Sequence, residues 1–134
     1  MVSFVTIMRT AAPVHATGAE CPVLATARIV SGKWTLVLLR DLALGPRRFS
    51  QLQRSLAGIR PGTLPARVRP LEEEGSIERR EFTEMPPRVE YRLTEKGEHL
   101  VPIVDAMRDY GTNWLDAHGP CEPAPVLEAV RPPA

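Results

Sequence analysis

Apolar residues recur at helical spacing over most of the chain and change to strict alternation in one place. Pro22 opens a helix predicted to reach about Val30, because proline suits a first helical turn, where its missing N–H has no partner. Ser31-Gly32 breaks it. From Lys33 to Leu42, the residues Trp34, Leu36, Val37, Leu38, Leu39 and Leu42 leave little polar face, which predicts a central buried helix. Gly45-Pro46 ends it. Arg47, Arg48 and Phe49 fit a short strand. Ser50 reads as an N-cap with Gln53 completing a capping box, for a helix from Ser50 to Leu56 anchored by Leu52 and Leu56. After a turn at Ala57-Gly58-Ile59, a helix is predicted from Pro61 to Glu74. Leu64, Val68 and Leu71 form its stripe, and Gly75 is its stop.

After Gly75 the period becomes two. Ile77 to about Thr83 reads as a strand, and Glu84-Met85-Pro86-Pro87 as a turn, since two prolines cannot sit inside a ladder. Val89, Tyr91 and Leu93 alternate with Arg88, Glu90 and Arg92, predicting a second strand, Arg88 to Leu93. Thr94 then caps a long helix to about Leu115, with Glu95 in its first turn and a kink expected at Pro102. Residues 1–19 show no sustained periodicity and are expected to form a flexible arm. Residues 119–134 are rich in Pro and Ala and are expected to be a disordered tail. Residues 20–118 remain as one domain. The order helix, helix, helix, turn, helix, hairpin, long helix predicts a mainly α fold with a small antiparallel β-hairpin (α+β), a winged helix-turn-helix; surplus apolar positions on the last helix and on Pro22–Val30 suggest a dimer through the terminal helices.

Composition narrows the function. The chain has 134 residues, 43% hydrophobic and 25% charged, which suits one soluble domain. No apolar run is long enough to span a bilayer. Met1 to Met8 has no basic residue ahead of its apolar stretch, which argues against a signal peptide and for the cytoplasm. Cys21 and Cys121 match no zinc spacing, so no metal is expected. His15, His99 and His118 form no cluster, and no nucleophile or Gly-rich motif appears, so neither a cofactor nor an enzyme is expected. The net charge is only +1. Its distribution says more: Leu42 to Leu71 contains no acid but holds Arg47, Arg48, Arg54, Arg60, Arg67 and Arg69. A one-signed segment can be the footprint of a polyanion or a solvated surface.

Several blocks resemble the HxlR-type family of bacterial winged-helix regulators. They are Cys21-Pro22-Val23, Gly32-Lys33-Trp34, Gly45-Pro46-Arg47-Arg48-Phe49-Ser50-Gln51-Leu52, Gly58-Ile59, Leu71-Glu72-Glu73-Glu74-Gly75, Pro86-Pro87-Arg88-Val89-Glu90-Tyr91 and Leu93-Thr94-Glu95-Lys96-Gly97. The resemblance covers about residues 20–116. It implies a cytoplasmic homodimer with a recognition helix in the major groove of double-stranded DNA and a wing near the backbone. Some members use the N-terminal cysteine as a redox sensor, so an oxidant or small-molecule effector is a further implication.

By position, Pro61–Glu74 is the recognition helix. Its candidate base contacts are Arg60, Thr63, Arg67 and Arg69, since arginine can bond guanine bidentately. Ser50, Gln51 and Arg54 open the preceding helix and are phosphate candidates. Arg79, Arg80 and Arg88 in the wing either reach phosphates or pair with Glu81, Glu84 or Glu90. Lys33 is a weaker phosphate candidate, and Trp34 fits the core. Leu100, Ile103, Val104, Met107, Tyr110 and Trp114, with Val23 from the first helix, offer a dimer face beyond what a small core needs. Cys21, at a helix start, is either a reactive sensor thiol or a small buried residue. Pro65 and Pro70 depart from the family pattern. They motivate a rival expectation: a winged-helix protein-interaction module with weak or lost DNA binding.

Overall fold

The predicted elements appear in the predicted order in a computed structural model that describes residues 18–121. Most of the expected arm (1–19) and tail (119–134) lies outside the described residues. Among the described residues the helices are α1 (Pro22–Val30), α2 (Lys33–Leu42), α3 (Phe49–Ser55), α4 (Thr63–Glu74), α5 (Glu95–Glu98) and α6 (Val101–Trp114). The strands are β1 (Arg47–Arg48), β2 (Ile77–Phe82) and β3 (Arg88–Leu93).

The core follows the apolar stripes. Leu38, Leu39 and Leu42 of α2 meet Leu52 and Leu56 at α3, Leu64, Val68 and Leu71 of α4, Ile77 and Tyr91 of the sheet and Val104 of α6. Helix α2 packs against α3, α4, α6 and β3, so the most apolar segment is the central one. Trp34 packs on this core from a partly buried position. Gly32 caps α2 at φ 95°, a conformation that only glycine adopts without strain, and α1 and α2 meet at a bend of 83°.

Four local expectations change. Helix α3 starts one residue early, with Arg48 at its N-cap; the Arg48 backbone N–H donates to Gln51 Oε1 at 2.8 Å. Ser50 therefore lies inside the helix and is not its cap. Helix α4 starts at Thr63, because Arg60 to Thr63 closes a turn in which the Thr63 N–H donates to the Arg60 carbonyl at 2.9 Å. The long C-terminal helix is split. Pro102 has no N–H to offer the Glu98 carbonyl and its ring would strike that group, so α5 stops and α6 restarts with proline in its first turn. The hairpin is also not alone. β1 joins it, giving an antiparallel sheet in the order β1-β3-β2, with Arg47 opposite Tyr91 and Arg48 opposite Glu90.

Helix α4 is bolted to the wing at one turn. Gly75 takes φ 95° and stops α4, and the Ser76 N–H donates to the Leu71 carbonyl at 2.9 Å. The Thr94 N–H donates to the Ser76 carbonyl at 3.0 Å, and Thr94 Oγ1 donates to the Gly75 carbonyl at 2.6 Å. Thr94 Oγ1 also accepts from the Gly97 N–H at 3.1 Å, the predicted cap. Lys96 Nζ reaches the Glu74 carbonyl at 2.7 Å and its carboxylate at 2.6 Å. The Leu93–Gly97 block thus clamps the end of α4 to the end of β3.

Candidate nucleic-acid interface

Helix α4 presents Leu64, Val68 and Leu71 to the core, which turns Pro65, Ala66, Arg67, Arg69 and Pro70 outward. Pro65 is the third residue of the helix, where an N–H has no intrahelical partner. Pro70 removes the bond to the Ala66 carbonyl, but Ala66 is exposed, so that carbonyl can turn to solvent. The helix runs through Pro70 to Glu74.

The basic residues divide into two electrostatic groups. Arg60 and Arg67 are exposed and form no ion pair among the described residues. Arg67 folds beside the α1–α2 junction; a side chain at Gly32 would meet its guanidinium at 3.5 Å. Arg69 is exposed and lies within the field of Glu72. Thr63, half-buried, begins the helix. Ser50 and Arg54 are exposed on α3, while Gln51 is committed to the Arg48 backbone. Lys33 is exposed at the start of α2 with its Nζ 5.0 Å from the Trp34 ring centre.

The wing arginines, by contrast, are all paired. Arg79 bonds Glu81, Arg80 lies 3.7 Å from Glu78, and Arg92 lies 3.2 Å from Glu78. Arg88 bonds Glu84, sits 3.2 Å from Glu90 and lies over the Phe82 ring at 4.1 Å. Residues 77–93 hold four arginines and four glutamates, so the wing is neutral as a unit. Sequence alone had left phosphate contact and cross-strand pairing open; pairs form, but Arg79–Glu81, Arg80–Glu78 and Arg88–Glu90 lie within a strand, and Arg92–Glu78 crosses between strands.

Glu72, Glu73 and Glu74 close the other end of α4, where the helix dipole disfavours acids. Burial pushes the Glu72 carboxyl above its ordinary value, with Arg79 and Arg69 pulling partly back. A raised carboxyl pKa costs stability once the group ionises. Below the unfolded value both states are protonated and nothing is lost; above the folded value the full penalty applies. Glu72→Gln is therefore expected to raise the melting temperature at pH 7 and to have little effect at pH 3. Melts at the two pH values check this, and equal gains at both would contradict it.

The interface candidates separate as well. Val104 is buried in the core and is corrected from the interface set; Leu100 packs on the core from a partly buried position. Ile103, Met107 and Tyr110 line an open apolar cleft of about 420 Å³ along α6 with Ala106, Gly111 and Leu115. Trp114 and Val23 are 75% and 77% exposed. Leu24 and Leu115 are also exposed, and sequence reading had passed over both. Cys21 is exposed at the N-cap of α1, not buried. Among the described residues no cluster suits a metal ion, and no single helix is long and apolar enough to cross a membrane.

A profile of HxlR-like helix-turn-helix proteins matches residues 29–119. The chain belongs to the HxlR family. It is 40% identical over 110 residues to the HTH-type transcriptional regulator sll1512 of Synechocystis sp., covering 82% of this chain and 81% of that one. The solved structure of the HTH-type transcriptional regulator ytcD superposes with a TM-score of 0.68 at 36% identity, over 73% of this chain and 100% of that one. The redox regulator HypR, in its oxidised form, superposes at 0.67 with 34% identity, over 75% of this chain and 100% of that one. This HxlR-type protein is thus a winged helix-turn-helix transcriptional regulator, and its DNA-binding fold is the one the sequence pattern predicted.

Proposed function

We propose that this regulator binds a palindromic operator as a homodimer and acts as a repressor, with α4 in the major groove. The observation that carries the DNA geometry is the charge division: Arg60 and Arg67, at α4 and the turn before it, form no ion pair among the described residues, while the hairpin arginines pair with glutamates. Arg60, Thr63, Arg67 and Arg69 supply the polar base contacts, and the outward Pro65, Ala66 and Pro70 favour apolar contact with thymine methyls. Ser50, Gln51, Arg54 and Lys33 sit beside this helix as backbone contacts. Arg79, Arg80 and Arg88 contribute little unless DNA displaces their glutamates. Such work on the chromosome places the protein in the cytoplasm, with residues 20–118 as the working domain. The test is capture of genomic fragments by the purified protein followed by a motif search. No shift of any captured fragment at low salt would remove the proposal.

The dimer rests on the apolar surface of α1 and α6, where Val23, Met107, Tyr110 and Trp114 are exposed together with Leu24 and Leu115. Burying one such side chain contributes about 1.5–3 kcal/mol. Trp114→Glu is expected to give a folded monomer by light scattering, with operator affinity lost because two half-sites roughly 34–36 Å apart need two recognition helices. A dimer of unchanged stability would place the interface elsewhere.

A redox input has its own support: Cys21 is exposed at the start of α1, and α1 abuts α4, the DNA-reading helix. HypR, a structural relative, is a redox regulator. Cys21→Ser is expected to abolish any oxidant response of DNA binding; a variant that responds fully would exclude Cys21 as the sensor.

A further inference from the structure

An open cleft of about 490 Å³ separates the start of α3 from the inner face of the wing. Its volume falls within the range of small-ligand sites, about 300–1,000 Å³. The apolar wall is formed by Phe49, Val89 and Tyr91, and Arg48, Arg79 and Arg88 surround it. The two rings stand 6.4 Å apart, centre to centre, at 53°. Burial pushes the Tyr91 hydroxyl above its ordinary value, with the Arg79 guanidinium beside it pulling the other way. The phenol therefore stays protonated and adds no negative charge to the wall.

We infer that this cleft binds an aromatic carboxylic acid, its ring on the Phe49–Val89–Tyr91 wall and its carboxylate on the Arg79 and Arg88 guanidiniums. The polar groups that Arg79 and Arg88 turn to the cleft are N–H donors, which a cation cannot use. A bare inorganic anion would leave the apolar wall uncovered, and a neutral ring would leave the guanidiniums unused. The planar donor fork of arginine matches a carboxylate in two bonds. Arg79 holds Glu81, and Arg88 holds Glu84 and Glu90; Glu81 and Glu84 are more than half exposed, whereas Glu90 is 24% exposed. The exposed Glu81 and Glu84 pairs are weak, and five N–H donors per guanidinium leave room for one more acceptor. The cleft opens beside Ser50, so an occupant would lie next to the DNA-facing end of α3. It is separate from the apolar cleft along α6.

The test uses the full chain without DNA, so its outcome is independent of whether the operator proposal holds. Benzoate, benzamide and inorganic phosphate are titrated at millimolar concentration against the ¹⁵N-labelled protein. Benzoate is expected to saturate, shifting amides at 47–50 and 79–91. Benzamide and phosphate are expected to bind more weakly by about ten-fold or more, each lacking one half of the recognition. Arg79→Gln with Arg88→Gln is expected to reduce benzoate affinity by a similar factor. If that variant melts without a cooperative transition, Arg88→Lys replaces it, keeping the charge but losing the fork. Equal binding of benzoate and phosphate would overturn the proposal in favour of a simple anion site. Shifts confined to 103–115, no saturation, or full affinity in Arg88→Lys would each overturn it too.

Discussion

Arg60→Ala and Arg67→Ala are each expected to weaken operator binding by about 1–3 kcal/mol, the worth of a bidentate base contact. Both side chains are exposed, so the melting temperature should barely move. The comparison that decides the matter is with the wing. A protein carrying Arg79→Ala, Arg80→Ala and Arg88→Ala loses three charges that glutamates already neutralise. Log affinity falls with log salt by roughly 0.9 per phosphate neutralised. The wing variant should therefore keep nearly the wild-type slope, whereas loss of a phosphate-facing arginine on α3 or α4 should flatten it by about one unit. Fluorescence anisotropy across a salt series reads both quantities. A wing variant with the flatter slope would mean that DNA strips the glutamates away and takes the arginines itself.

The largest stability effect is expected at Gly97. A Cβ there would lie 2.0 Å from the Ser76 carbonyl oxygen, 2.9 Å from its carbon and 3.2 Å from Leu93 Cδ2. The first two are backbone atoms, and the same carbonyl already accepts the Thr94 N–H. Nothing there can yield as the tip of a side chain could. Gly97→Ala should cost about 3 kcal/mol, the upper part of the usual range for overpacking. For a domain of this size that is roughly a 15 °C drop in melting temperature. Because the clash lies in the turn that holds α4 to the wing, operator binding should fall at temperatures where the far core still melts cooperatively. Gly58→Ala is a poor control, since Gly58 has φ 91°. Gly62→Ala is a better one, being open and outside the left-handed region. Equal melting temperatures for Gly97→Ala and wild type would show that α5 can shift away from Ser76 at little cost.

Much of the molecule was legible in residue order. Helices α1 and α2 were bounded correctly by Pro22, Ser31-Gly32 and Leu42, because proline and glycine act within one or two residues of themselves. The stripe Leu64, Val68, Leu71 gave the buried face of α4, because period alone decides which side of a helix is apolar. The stop at Gly75 and the alternation of Val89, Tyr91 and Leu93 marked the change from helix to wing for the same local reasons. Pro102 was recognised as a disturbance, but whether it kinks a helix or divides one depends on what the freed Glu98 carbonyl meets.

The pattern of apolar positions along the chain was enough for the fold class. Local chemistry sets helix ends, buried stripes and turn residues, and all of these repeat on a scale of a few residues. What tertiary structure alone decided are relations between distant segments. It paired β1 with β3, sent Val104 inward, brought Arg92 to Glu78 across the hairpin and set Gly97 against the Ser76 carbonyl. Each depends on a distance across the fold, and charge along the chain does not encode which carboxylate a guanidinium will reach. The acid-free arginine segment from Leu42 to Leu71 was visible from the start. Only folding set Arg60 and Arg67, which form no ion pair among the described residues, apart from a wing whose arginines each lie beside a glutamate.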